Sequence, residues 1–303
     1  MNTRLRNALR VVFDSGFRTV CLAGFGAYRR LDDKEFLEMV FKRMFGRPID
    51  WDAPTTYNEK LQWLKLHDRN PAYTTMVDKH LVKGYVASKI GEEYVIPTLG
   101  VWDKFEDIDF DELPSRFVLK CTHDSGGLVI CEDKERLDVR KAKRKIDACL
   151  KKNYYWLGRE WPYKMVKPRI IAEQFMEDAR TKELRDYKFF CFDGEPKALF
   201  VASDRQNRRE ETKFDFFDMD FNHLPFTNGH PNASVCPEKP DKFDEMVCLA
   251  RALSDGIPHV RVDFYEVNGR IYFGELTFYH WSGFEPFVPS EWDKVFGDWI
   301  HIG

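Results

Sequence analysis

Apolar residues at positions 36, 37, 40, 41, 44 and 45 recur at helical spacing and predict a helix over Asp33–Phe45. Thr56-Tyr57-Asn58-Glu59 opens a second helix with the signature of a capping box, and Leu61, Leu64 and Trp63 supply its apolar face. A third helix is expected over residues 78–90, stopped by Gly91. Residues 94–97 and 99–102 read as short strands. Roughly the first hundred residues are therefore mostly helical.

Beyond them the pattern changes. Phe117-Val118-Leu119 reads as a short strand that delivers Lys120 into a polar turn ending in Gly126-Gly127, and residues 128–131 form the strand after it. Asp138 caps a helix reaching residue 152, with an apolar stripe at Val139, Ala142, Ile146, Cys149 and Leu150 and a basic opposite face. Residues 169–176 form a strand, 186–192 and 197–202 a hairpin around Asp193-Gly194, and 213–219 another strand. A helix over 242–254 precedes a final hairpin, 259–267 with 270–276, around Asn268-Gly269. Strands outnumber helices here and run hairpin-wise, which argues for an α+β arrangement rather than a doubly wound parallel sheet.

Composition narrows the class. With 43% apolar and 32% charged residues, a 303-residue chain is globular and can bury a full core. A net charge of −3 gives no basic excess and speaks against a nucleic-acid partner. Aromatics at 15% suit either a sheet-rich core or a carbohydrate-facing surface. Seven scattered cysteines without a Cys-x-x-Cys pair read as small buried hydrophobes in a reducing compartment, not as a zinc site. Residues 2–30 carry Arg4, Arg6, Arg10 and Arg18 around two apolar clusters. They are too short to span a bilayer and lack the apolar core of a signal peptide. Two readings stay open: a helix packed on the domain, or a basic amphipathic segment resting on an anionic membrane surface.

Two segments suggest chemistry. Gly126-Gly127 lets the backbone turn tightly and approach a ligand, and Lys120 beside it can place a point charge on a phosphate; ordinary hairpin turn chemistry is the alternative. The final hairpin carries Asp263 and Glu275. With a two-residue Asn-Gly turn, Asp263 faces Gly274 and Glu275 lies on the opposite face. With a three-residue loop and a glycine bulge, the two acids share a face within reach of one cation, and oxygen ligands of this kind suit Mg²⁺. Asp218-Met219-Asp220 has the spacing of a nucleotide-sugar metal motif, a weak signal alone.

In order, the lysine and glycine loop, the strand Ile170-Ile171-Ala172-Glu173 and the acidic hairpin resemble the ATP-grasp superfamily. Thr56-Tyr57-Asn58-Glu59-Lys60-Leu61-Gln62-Trp63, Asp68-Arg69-Asn70-Pro71, Asp78-Lys79, Gly158-Arg159-Glu160-Trp161-Pro162-Tyr163, Lys167-Pro168-Arg169, Asp186-Tyr187-Lys188 and Val262-Asp263-Phe264-Tyr265 to Gly274-Glu275-Leu276-Thr277 resemble its TupA-like family, named after teichuronopeptide biosynthesis. The resemblance runs over roughly residues 35 to 300. It implies an α+β fold in which two subdomains, 114–172 with the glycine loop and 173–303 with the metal site, grip ATP after a mostly helical region, 1–113.

The resemblance also implies roles. Lys79 and Lys120 would contact ATP phosphates, and the loop with Thr122, Ser125, Gly126 and Gly127 would close over them. Glu173, Gln174, Phe175 and Met176 would form the hinge strand beside adenine, and either Asp186 or Glu183 would hold the ribose. Lys188 and Arg205 point to the phosphate or acyl-phosphate region; Asp263, Glu275 and Thr277 would bind Mg²⁺, the threonine standing where most ATP-grasp enzymes carry asparagine. The segment after the metal strand, His280-Trp281-Ser282-Gly283, is placed on the acceptor side. The implied activity is ATP-dependent ligation of a carboxylate to an amine in bacterial surface polysaccharide assembly, capsule or cell wall. A uronic acid on a sugar or polymer would be joined to an amino acid or amine, in the cytoplasm or at the inner membrane face. A sugar kinase on the same fold, a glycosyltransferase and a membrane-docked scaffold are the rival readings.

Overall fold

The computed structural model describes residues 11–124, 126–180, 184–203 and 211–302, so Ser125, Glu183 and Arg205 lie outside the described residues. Helix α1 (Ser15–Gly24) begins where the Asp14 carboxylate accepts from the Phe17 N–H at 2.8 Å. Helix α2 (Asp33–Phe45) is capped by Asp32 and ended by Gly46 at φ 72°. The two helices enclose a small core of Ala23, Phe36, Leu37, Val40, Phe41, Ile49 and Phe284. Thus α1 packs on the domain, while Val11, Leu22 and Phe25 face outward.

Helix α3 (Tyr57–His67) carries the expected capping box, with Thr56 and Glu59 each bonding the other's backbone. The helix expected over residues 78–90 begins later, as α5 (Val82–Ile90), and a short helix α4 (Ala72–Val77) that the pattern did not predict precedes it. Asp78 separates them, accepting from the N–H groups of His80 and Leu81 at 2.8 and 3.1 Å. Lys79 therefore sits in a turn and not on a helix. The strand expected over residues 94–97 does not form: residues 92–94 make a 3₁₀ turn, closed by the Val95 N–H on the Glu92 carbonyl, and the first strand begins only at Thr98.

Strand β1 (Thr98–Trp102) joins β2 (Phe117–Cys121), β3 (Leu128–Cys131) and β4 (Ile170–Gln174) in an antiparallel sheet of order β1-β4-β2-β3. Helix α6 (Val139–Leu150) covers it with Ala142, Ile146 and Cys149. A second antiparallel sheet has order β10-β9-β5-β6-β7. Its members are β5 (Asp186–Phe192), β6 (Glu195–Ser203), β7 (Lys213–Asp218), β9 (His259–Val267) and β10 (Arg270–Thr277); the short β8 (Thr227–Asn228) pairs with β11 (Phe287–Val288). Every residue of β5 is buried, because α7 (Phe243–Ser254) covers one face and α3, α8 (Glu291–Asp298) and the residues after β10 cover the other. Much of the aromatic content is spent there, on Tyr57, Phe189, Phe190, Phe192, Phe200 and Phe216. Cys121, Cys131, Cys149 and Cys191 are buried and free. Among the described residues no helix is long and apolar enough to cross a membrane.

The final hairpin takes neither anticipated register whole. Its turn is the two-residue one, with Arg270 opposite Val267, and Asn268 and Gly269 at φ 52° and 72°. A bulge at Gly274 then shifts the register, so Glu275 lies directly opposite Asp263. The acids share a face, but the extra residue sits in the strand and not in the loop.

Candidate active site

Three adjacent strands set out a row of charge. Lys188 on β5 is the register partner of Asp263 on β9, which is the partner of Glu275 on β10. Period-two alternation adds Asp186, Arg261 and Thr277 to the same face. The Arg261 guanidinium grips Asp263 twice, Nε to Oδ1 at 2.7 Å and Nη2 to Oδ2 at 2.8 Å. Its Nη2 also reaches Glu275 Oε1 and Thr277 Oγ1, both at 3.0 Å. Lys188 donates to Asp263 and lies 3.5 Å from Asp186 Oδ1. Asp263 and Asp186 are fully buried, and Arg261 is 7% exposed. Charges this deep persist only when paired. Burial pulls the Arg261 pKa down, but Asp263 and Glu275 more than reverse it; for Lys188 burial wins and the pKa falls.

His280 orients the arginine. Arg261 Nη1 donates to His280 Nδ1 at 2.7 Å, so the other ring nitrogen carries the proton and donates to Asn228 Oδ1 at 3.0 Å. Burial, with Arg261 beside it, holds the His280 pKa well below the usual range, which keeps the ring neutral and able to accept.

The four-stranded sheet supplies the facing wall. Lys120 and Lys83 converge on Glu173, each at 2.5 Å. Burial raises the Glu173 pKa, but the two lysines outweigh it and hold the carboxyl below its ordinary value. The Lys79 side chain donates to the Asp124 carbonyl and its N–H to the Thr122 carbonyl, which brings it to the loop. Thr122 is fully buried; its N–H donates to the Arg169 carbonyl and its hydroxyl to the Lys167 carbonyl, so it braces the loop from behind. The Gly127 N–H is held by Asp124 Oδ1 at 3.0 Å, and a Cβ there would meet Cys121 Sγ at 2.6 Å. At Gly126 the nearest atom to such a Cβ is 3.8 Å away, so only the second glycine is required by packing.

Between the walls runs a cleft lined by Lys79, Lys83, Lys120, Lys188, Glu173 and Glu275. It continues through Ile96, Lys120, Leu128, Glu173 and Tyr265 into a more apolar slot bordered by Val118, Ile130 and the hinge residues Gln174, Phe175 and Met176. A lysine-rich cleft beside an apolar slot suits a polyphosphate carrying a flat base. Asp186 lines neither part. It lies in the charged row, under Lys188. Asp263, Glu275 and Thr277 offer only oxygens on one face, the donor chemistry of a hard divalent cation, and so fit Mg²⁺. Among the described residues no three His, Cys, Asp or Glu side chains form a metal cluster. The remaining ligands would thus come from the threonine, water or phosphate. On the other side of the row a chamber of about 370 Å³ is lined by Glu160, Tyr163, Arg261, Glu275, Tyr279 and Trp281, with Phe17 and Val20 of α1 as part of its wall. The acceptor-side placement of residues 280–283 is consistent with this chamber.

Arg261, Lys83 and Glu160 escaped the sequence reading. A signal existed for the first, since Arg-x-Asp on a strand puts both side chains on one face. Asp218-Met219-Asp220 turns out to be turn chemistry, with Asp218 Oδ1 accepting from the N–H groups of Asp220 and Asn222 at 3.0 and 2.8 Å.

The model of the TupA-like ATPgrasp family matches residues 59–301. No curated protein matches the chain. Among solved structures it is similar to D-alanine–D-alanine ligase from Bacillus anthracis complexed with ATP, at 16% identity and TM-score 0.38 over 67% of this chain and 54% of that one. It is similar to the ATP-grasp ligase PsnB with a minimal precursor, at 10% identity and TM-score 0.40 over 73% and 59%. It is also similar to N5-carboxyaminoimidazole synthase from Aspergillus clavatus with ADP and 5-aminoimidazole ribonucleotide, at 13% identity and TM-score 0.37 over 67% and 44%. The chain spans about half the length of these structures. The family model covers most of the sequence, and the chain belongs to the TupA-like ATP-grasp family.

Proposed function

We propose that this protein is an ATP-dependent carboxylate–amine ligase working through an acyl phosphate. The observation that carries the reading is the position of the charged row. Lys188 and Glu275 border both the cleft and the chamber beyond it, and Arg261 borders the chamber. A phosphoryl group leaving ATP in the cleft would therefore meet an acceptor in the chamber at this row of fixed charge. The acceptor carboxylate oxygen attacks the γ-phosphorus and ADP leaves. The amine nitrogen then attacks the acyl carbon, the C–O bond to phosphate breaks, phosphate departs with the bonding electrons, and the nitrogen yields its surplus proton to water.

Lys79, Lys83 and Lys120 would bind the phosphates, with Gly126 and Gly127 at the loop. The slot at Gln174, Phe175 and Met176 would hold the base, and Lys188 and Arg261 would steady charge on the transferring group. Mg²⁺, held by Asp263, Glu275 and Thr277, would neutralise phosphate charge when bound. Family resemblance supports a uronic acid of a surface polysaccharide as the carboxylate and an amino acid or amine as its partner. The outward-facing Leu22 of α1, with Val11 before the helix, Phe25 after it and Arg18 between, supports contact with a membrane surface.

The test begins with calorimetry of ATP with Mg²⁺, on the wild type and on Lys120→Ala. Phosphate release is then screened with uronic acids and amines, singly and paired. Release that needs both supports the ligase; phosphorylated sugar without amine would establish a kinase; no ATP binding by folded protein would sink both.

A further inference from the structure

Glu160 is 5% exposed and lines the chamber opposite Arg261 and Glu275. Phosphoryl transfer leaves it without a task. Two strained turns place it. The first is Arg159, at φ 55° although not a glycine. Its guanidinium is pinned from outside: Nη2 donates to the Tyr28 carbonyl at 2.8 Å, Nε lies 3.4 Å from Asp33 Oδ1, and the rings of Phe36 and Trp156 lie 4.5 and 4.6 Å away. The second is Trp281-Ser282, at φ 49° and 56°. Its Ser282 hydroxyl sits beside the Glu160 carboxyl.

The nearest buried cation does not spend its donors on Glu160. Lys65 gives its three N–H groups to Gln62 Oε1 at 2.9 Å, the Ser282 carbonyl at 2.8 Å and Ser282 Oγ at 3.0 Å. Burial prevails over the charge of Lys65, the Ser282 hydrogen bond and Arg261 and raises the Glu160 pKa, and among the described residues no lysine or arginine forms a direct ion pair with its carboxylate. Around it the chamber wall carries Tyr163, Tyr279 and Trp281. A buried acid without a direct ion pair, beside the side chains of Tyr163 and Trp281 and a Tyr279 ring that already lies 5.6 Å from the Lys65 ammonium, is chemistry that recognises an ammonium group.

We propose that Glu160, with Tyr163, Tyr279 and Trp281, forms the subsite for the ammonium group of the amine substrate, on the chamber side of the Arg261 row. This deepens the ligase reading and rests on it for the fate of the amine. A kinase acting on a hydroxyl has no use for such a site. The class of ligand is a primary ammonium carried on a body with an apolar face.

The test uses the full chain without nucleotide, so that it stands apart from ATP binding. Benzylammonium and its neutral counterpart benzyl alcohol are titrated as probes by ligand-observed NMR at pH 7.5. The wild type is expected to prefer benzylammonium at least tenfold, and Glu160→Gln to bring the two within twofold. No preference in the wild type, or a preference kept in a folded Glu160→Gln, overturns the proposal. Should that variant fail to fold, Trp281→Leu decides, since Trp281 is 42% exposed and not needed for the core. Unchanged benzylammonium affinity there places the probe elsewhere and overturns the subsite; at least fivefold weakening supports it. Failure of ATP binding with the benzylammonium preference intact would sink the ligase reading alone.

Discussion

At the scale of single residues, the charges must be read as a group. Asp263 is fully buried and meets Arg261 through both oxygens and Lys188 through one. Removing it strands two buried cations. Asp263→Ala is therefore expected to destabilise the fold by about 3–5 kcal/mol, read by urea unfolding. Loss of ATP binding in that variant would say little about metal. Asp263→Asn, which keeps the shape and one of the two acceptor oxygens, is the milder variant for testing Mg²⁺ dependence. Glu173 gives a pH prediction. Its folded pKa lies below the ordinary carboxylate value, so it binds fewer protons folded than unfolded. Its contribution is whole at neutral pH and is lost as pH falls through the acid range below the ordinary glutamate value of 4.5. Melting temperatures of wild type and Glu173→Gln should differ at pH 7 and converge near pH 3; a constant gap would refute the linkage. Lys120, Lys188, Asp263 and Glu275 were legible as candidates because each stands in a recognisable motif. Arg261 was not singled out, because its meaning comes from Lys188 and His280, which only the folded sheet brings to it.

At the scale of elements, helix boundaries followed from local chemistry, such as the Thr56–Glu59 box and the Gly46 stop. Where polar side chains compete for the backbone the pattern misled: Asp78 holds the next N–H groups in a turn, so the helix expected from residue 78 starts at Val82 and Lys79 lies in the turn that meets the glycine loop. The final hairpin is the sharper case. Its turn follows from Asn268-Gly269, while the shared face follows from a bulge that periodicity alone does not locate. Gly274 marks it, since a glycine inside a strand often signals a bulge or close approach. A Cβ there would lie 3.1 Å from the Asp263 carbonyl oxygen and 3.2 Å from a Tyr265 ring carbon. Gly274→Val is accordingly expected to cost about 1–3 kcal/mol through overpacking. It should also weaken Mg²⁺-dependent ATP binding, because the strain falls between the two acids. Unfolding and calorimetry on one preparation would check both; full ATP affinity in a destabilised variant would show that the bulge serves only the fold.

At the scale of the whole molecule, the lysine-lined cleft was foreseeable and the chamber was not. The cleft draws on consecutive motifs, whereas the chamber gathers residues from α1, α2, the segment around Glu160, five strands of one sheet (β5, β6, β7, β9 and β10) and the residues after β10. No local pattern encodes such a meeting. The contribution of α1 is the most informative, because it precedes the family match at residues 59–301 while Phe17 and Val20 face the chamber. A wall from outside the shared region is where acceptor preference can vary without disturbing the nucleotide grip. Gly16, Thr19 and Ala23 are the residues α1 buries, so trimming its chamber-facing side chains leaves its anchoring intact. Phe17→Ala with Val20→Ala should then keep ATP and Mg²⁺ affinity within twofold. The same pair should raise the KM for the acceptor carboxylate by roughly 5–30-fold, the equivalent of about 1–2 kcal/mol of lost apolar contact. Initial-rate kinetics with ATP saturating and acceptor varied would measure it. An unchanged acceptor KM would mean that the acceptor never touches α1, and a matching loss of ATP affinity would mean that the helix supports the whole fold and not one wall of the chamber.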